Sequence, residues 1–165
     1  MNLKKQPVFK IEKTFLERLF DWIGIFSFLA ATIFLIIEWP SIPETVPMHF
    51  DASGEADGWG PRWTIFLLLA VGLALWIGLY FLEKVPHVHN YLNLTEQNVR
   101  QQYKNSQLLL NVLKNEILVF FSYFTWSSVQ IAKGQADSLG TWALPVFLVI
   151  IFGSLGFFMI RSLRL

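Results

Sequence analysis

Trp63 to Leu82 reads WTIFLLLAVGLALWIGLYFL, twenty consecutive residues without a single charge. An α-helix rises about 1.5 Å per residue, so the run is about 30 Å long, the thickness of a bilayer's hydrocarbon core. A helix of that length on a soluble protein needs a polar face, and this one has none. Working outward, three more apolar stretches accompany it, so that the expected spans are about 20–38, 63–83, 108–131 and 142–160. The outer loop 39–62 and the loop 84–107 are too short to bury cores of their own. The 165 residues, 54% of them apolar and with a mean hydropathy of +0.47, therefore read as a single membrane domain over 1–165. Its fold class is all-α, an integral membrane four-transmembrane-helix bundle whose first partner is the lipid bilayer.

Trp22, Trp39, Trp63 and Trp142 stand at the ends of the apolar runs, where amphipathic rings settle at headgroup level. The first run is longer than a signal-peptide core and ends in Glu38-Trp39-Pro40 rather than a small-x-small cleavage site, so it reads as a retained helix. With no cysteine, the chain can form no disulfide and carry out no thiolate chemistry.

Charge sets the expected orientation. Lys4, Lys5, Lys10, Lys13 and Arg18 precede the first span, Lys84, Arg100 and Lys104 follow the second, and Arg161 and Arg164 follow the fourth. The two remaining inter-span segments carry only Arg62 and Lys133. The positive-inside rule then puts both termini and 84–107 in the cytoplasm, and 39–62 outside.

Residues Phe9 to Phe20 read as an amphipathic helix lying on the inner surface. Pro86 interrupts the second helix, and Thr95 with Glu96 reads as the cap of the third. Glu96 to Lys133 contains neither Gly nor Pro, which predicts one long third helix extended into the cytoplasm. Along it Gln107, Asn111, Lys114, Asn115 and Ser122 share a polar face. Asp21, Asn111, Lys114 and Glu116 are the intramembrane polar candidates. Lys114 and Glu116 read as snorkelling to the inner interface, with Asp21 as the alternative partner for Lys114. Gly72 and Gly78 near Ala70 and Ala74, and Gly153, Ser154 and Gly156, suit close helix contact within the bundle or in a homodimer; in the second span they read equally well as merely tolerated. Pro145 falls in the first turn of the fourth span, where its missing donor does least harm.

The outer loop, Trp39 to Arg62, holds four prolines and three glycines, which predicts an ordered, turn-rich segment. Its candidate ligand-binding, partner-binding or loop-structuring residues are Pro47, His49, Phe50, Asp51, Gly54, Asp57, Gly58 and Trp59. His49, Asp51, Glu55 and Asp57 are of the right types to hold a divalent cation. The spacing fails the EF-hand template: counted from Ser53, position six is Gly58 but position twelve is Thr64. The favoured reading is structural, with His49 bonded to loop backbone, Asp51 and Asp57 capping turns, and Gly54, Gly58 and Gly60 supplying positive φ. No metal, cofactor or catalytic residue is assigned. His87 and His89 lack a third ligand and lie across the membrane from His49, and Ser122, Ser127 and Ser128 lack a base at usable spacing. No phosphate loop, dinucleotide fingerprint or nucleic-acid module occurs, so no nucleic-acid partner is expected. Intramembrane charges are too few for a transporter of inverted repeats.

The prolines of this loop followed by Pro47-Met48-His49-Phe50, Gly54 and Asp57-Gly58-Trp59-Gly60, with Asn90-Tyr91 and Thr95-Glu96-Gln97-Asn98 further on, resemble a bacterial domain of unknown function. That domain forms the N-terminal part of SdpI-type immunity proteins, which protect bacilli against a secreted killing peptide and carry a further C-terminal membrane domain. Arg62 stands where the family often has lysine. The resemblance implies a bacterial cytoplasmic membrane and supplies no catalytic residues. Two functions follow as expectations. One is a non-enzymatic immunity, sensor or accessory protein whose outer loop engages a peptide, ligand or membrane-protein partner. The other is a small metal-assisted membrane enzyme using His49, Asp51 and Asp57.

Overall fold

The computed structural model describes residues 6–165, so the basic Lys4 and Lys5 lie outside the described residues. Helix α1 (Phe15–Glu38) leads through a 3₁₀ turn into strands β1 (Thr45–Phe50) and β2 (Ala56–Pro61); helices α2 (Ile65–Glu83), α3 (Val99–Ala132) and α4 (Ala143–Leu163) follow. Four segments built on these helices are long and apolar enough to cross a membrane. The expectation of an all-α chain is corrected at the outer loop, where the turn-rich segment folds into an antiparallel β-hairpin.

Helix α3 is the hub: α1, α2 and α4 each pack against it, while α1 and α2 scarcely touch. Its 34 residues correspond to about 51 Å, well beyond a hydrocarbon core. The distribution of side chains is inverted relative to a soluble protein. Asn111, Lys114, Asn115, Ser122, Thr125 and Ser128 of α3 are buried, while Phe26, Ile33 and Ile37 of α1 and Val149, Phe152 and Phe157 of α4 are exposed. Ser122 and Thr125 donate to the carbonyls of Leu118 and Phe121 one turn back, at 2.7 and 2.9 Å, which satisfies them inside the helix.

Two glycines allow the backbones to approach. A Cβ on Gly24 would lie 2.4 Å from Asn115 Oδ1, and one on Gly72 would lie 2.8 Å from Phe121 Cβ. Gly78, Gly153 and Gly156 face open space, so of the small residues of α4 only Ser154 is engaged with a neighbouring helix, through Glu116 of α3.

The expected helix from Phe9 is not formed. Residues 6–14 are extended and lie across the start of α3: Phe9 stacks on Tyr103 at 5.0 Å, and Tyr103 Oη donates to the Pro7 carbonyl at 3.1 Å. Helix α1 begins after Thr14 because Thr14 and Glu17 form a reciprocal capping box. Ahead of α3, Thr95 and Asn98 exchange side chain-to-backbone bonds of 2.8 and 3.2 Å and Val99 N donates to the Thr95 carbonyl at 3.0 Å, the capping pattern expected of Thr95; the regular helix runs from Val99, three residues later than expected.

At the hairpin end, Ala31 and Leu35 of α1, Ile42, Val46 of β1, Ile65 and Leu69 of α2 and Val129 of α3 form one buried apolar cluster. Glu38 at the end of α1 is ion-paired with Lys133 at the end of α3. Burying Val46 completely seats the hairpin on the helices rather than leaving it hanging from them.

Candidate functional site

The polar face of α3 builds the first of two sites, at the end of the molecule opposite the hairpin. Lys114 is fully buried, and its Nζ lies 2.8 Å from Asp21 Oδ1 and in contact with Glu83 Oε2. Lys13 closes the arrangement, 2.6 Å from Asp21 Oδ2 and 2.9 Å from Glu83 Oε1. Two ammonium groups thus alternate with two carboxylates drawn from the extended N-terminal segment, α1, α2 and α3, and the net charge is zero. Desolvation opposes the Lys13 ammonium, but Asp21 and Glu83 outweigh it and hold its pKa above the usual lysine value.

Neutral groups complete the shell. Asn111 and Asn115 donate to Asp21 Oδ1 at 2.9 and 3.0 Å, and Trp76 Nε1 donates to Asn115 Oδ1 at 2.9 Å. The rings of Trp76 and Tyr80 lie 5.2 and 5.3 Å from Lys114 Nζ. Snorkelling therefore does not describe Lys114, because carboxylates of two other elements reach it in the interior. Glu116 is held by α4: Ser154 Oγ donates to its Oε1 at 2.6 Å. Sequence reasoning overlooked Glu83 and Lys13. Glu83 is the last residue of an apolar run, and a charge closing such a run reads as an interfacial residue.

Beside this cluster the segment 84–98 is pinned by His89. The Leu82 carbonyl can only accept, so Nε2, at 3.1 Å, carries the proton; Nδ1 lies 3.2 Å from Ser106 Oγ, whose hydroxyl donates to the Tyr103 carbonyl at 3.1 Å. Tyr91 Oη completes the chain 2.7 Å from Ser106 Oγ, and burial pushes its pKa up to about 12. Burial pulls His89 below its ordinary 6.5, and the bond to the Leu82 carbonyl only partly opposes this. Because the folded pKa is the lower one, the contribution of His89 to stability is complete above the unfolded value and is lost as pH falls through the folded one. The protection factors of the amides over 85–92, with exchange corrected for its intrinsic pH dependence, are accordingly expected to fall on acidification below pH 6.5, and His89→Gln is expected to flatten that response.

The second site is the hairpin. Asp51 Oδ1 accepts from Ser53 N, Ser53 Oγ and Glu55 N at 2.8, 2.6 and 3.0 Å, which closes the turn. The Ser53 hydroxyl and these backbone groups hold the Asp51 carboxyl below its ordinary pKa. Gly54 occupies φ +84°, and its carbonyl accepts from Leu139 N at 2.9 Å, tying the tip to the α3–α4 connection. Phe50 meets Phe124 of α3 edge-on at 5.9 Å, and Pro47 is buried. His49 Nδ1 pairs with Asp57 Oδ1 at 2.5 Å on the exposed side, not with loop backbone. Gly58 and Gly60 are not at positive φ. They are small because a Cβ at either would strike His49 Cβ at 2.9 Å or Met48 Sδ at 1.8 Å.

Val46 and Pro47 are buried, while Met48, Trp59, His49 and Asp57 are exposed, Met48 and Trp59 about half so at 52% and 53%. Asp51 is turned into the tip and away from the His49–Asp57 pair, and no group of three metal-ligating side chains forms among the described residues.

No curated protein and no solved structure matches the chain. Residues 26–73, which run from the middle of α1 through the whole hairpin to the middle of α2, match the family model described as a domain of unknown function, DUF1648.

Proposed function

We propose that this chain is a non-enzymatic, multi-pass protein of a bacterial cytoplasmic membrane, an immunity, sensor or accessory factor whose hairpin engages an extracellular peptide or membrane partner. In this reading the hairpin is outside, the Lys13–Asp21–Glu83–Lys114 cluster lies at the inner side, and both termini are cytoplasmic. One observation carries the reading: the hairpin is anchored to the helices through Val46 and Pro47, both buried, while Met48, Trp59 and the His49–Asp57 pair remain exposed. These exposed residues combine apolar anchors with a polar pair, which is what an amphipathic peptide demands. The likeness of the loop to SdpI-type immunity proteins supports the same class. The metal-assisted alternative gains nothing from the geometry, since Asp51 is committed to its turn.

The test is complementation. Cells lacking the gene are expected to become sensitive to a membrane-active peptide in a panel of secreted bacterial peptides, and the gene to restore protection. Trp59→Ala is expected to weaken protection about thirtyfold, the effect of losing an aromatic anchor worth about 2 kcal/mol, with protein level unchanged. Full protection by Trp59→Ala together with Met48→Ala, at normal abundance, would refute the assignment to these exposed residues.

A further inference from the structure

A separate site lies between α1 and α4. Both pack on α3, and they form no packed interface with each other. The cleft left between them has a volume of about 800 Å³, the size of a drug-like ligand site. Its wall is apolar and rich in rings, with Phe20 from α1, Phe120 and Tyr123 from α3, and Trp142 and Phe147 at and after the start of α4.

Glu116 is the one acid on this wall. Its Oε1 is taken by Ser154, whereas its Oε2 is buried and has no hydrogen-bond partner. Asn115, the other strongly polar residue of the wall, is already committed: its Oδ1 accepts from Trp76 and its amide donates to Asp21 and to the Asn111 carbonyl. The four charges of the Lys13–Asp21–Glu83–Lys114 cluster neutralise one another and leave no cation for Glu116. An unpartnered carboxylate oxygen in an apolar setting is costly, and a cation or donor that reached it there would relieve that cost. Aromatic faces around a single carboxylate form a setting that attracts a desolvated cation and repels an anion.

We infer that the α1–α4 cleft binds a lipophilic cation, an onium ion or a protonated hydrophobic amine, with its charge on Glu116 and its apolar groups against Phe120, Tyr123 and Phe147. Glu116 lies mid-helix on α3 in a wall built from three membrane-length helices, so with these helices in the bilayer the ligand enters from among the lipid chains. This site is independent of the hairpin face, and either can fail without the other.

Tetraphenylphosphonium is the probe, measured by equilibrium binding to the full chain purified in detergent. Saturable, one-to-one binding is expected. Glu116→Gln, which keeps the shape and the Ser154 contact, is expected to weaken it about tenfold or more. Val146→Trp, which fills the cleft and leaves Glu116 in place, is expected to abolish it. Tetraphenylborate, of the same shape and opposite charge, is expected not to bind. Comparable binding of tetraphenylborate, undiminished binding to Glu116→Gln, or no saturable binding at all would each overturn the proposal. Thermal unfolding and gel filtration establish that the variants fold; should Glu116→Gln not fold, Val146→Trp and the borate comparison decide.

Discussion

Lys114→Met is expected to destabilise the folded chain by about 3–5 kcal/mol, the range for removing one member of a buried ion pair. The reason is local charge balance. Lys114 is fully buried between Asp21 and Glu83, and without it two carboxylates share Lys13 alone. Methionine fills most of the volume of the lysine stem, so loss of packing contributes little. Combining Lys114→Met with Glu83→Gln removes one charge of each sign and leaves the Lys13–Asp21 pair intact. The double variant is expected to recover at least half of the loss, and the interaction term of the cycle then measures the coupling. Unfolding in a denaturing detergent series reads all three chains. A change within about 0.5 kcal/mol for Lys114→Met, the size of an ordinary surface substitution, would mean that the cluster is not desolvated.

Gly54→Val is the second large effect, and it acts on the hairpin. Gly54 sits at φ +84°, where a β-branched residue is strained by about 1–2 kcal/mol. Its new Cβ would also stand 2.8 Å from the Gly140 carbonyl oxygen and 3.3 Å from Leu139 Cβ. Relieving that collision breaks the Leu139 N–Gly54 O hydrogen bond, the tie between the hairpin tip and the α3–α4 connection. Taken together these raise the population of the undocked hairpin by about 3 kcal/mol, or about a hundredfold. Proteolysis within 44–62 reports that population when opening is fast relative to cleavage. Gly140→Ala is the control: it has the same φ of +84° but open space around its Cβ, so only the backbone strain is expected. Equal protease sensitivity of the two variants would show that the collision at Gly54 does not matter.

The helices were legible because an apolar run of membrane length admits few readings, and the run from Trp63 to Leu82 needed no tertiary information. The long third helix was equally legible, since nothing from Glu96 to Lys133 could interrupt it. Its starting point was not. The Thr95 cap was legible and its bonds form, yet the regular helix runs only from Val99; at α1 the Thr14–Glu17 capping box, which starts the helix after residue 14, was outweighed by the apolar and charged pattern from Phe9. The hairpin was missed as strands because Thr45–Phe50 contains a proline and Ala56–Pro61 is half glycine and proline, a composition that signals turns. Its pairing depends instead on the apolar cluster under Val46 and on a bulged register around His49. The charged cluster was visible only as isolated residues. Lys13, Asp21, Glu83 and Lys114 lie far apart in sequence, and only the packing of α1 and α2 on α3 brings them together.

The hairpin reading rests on a chain that crosses the bilayer four times with the hairpin outside. The absence of cysteine makes this directly measurable, because each introduced thiol is the only one present. Ala52→Cys in the hairpin turn, Gln135→Cys between α3 and α4, and Gln97→Cys in the segment before α3 all place the thiol at exposed positions. In intact cells a membrane-impermeant maleimide is expected to label the cysteines at 52 and 135, and to label the one at 97 only after permeabilisation. Labelling at 97 in intact cells, or protection at 52 until lysis, would contradict the account.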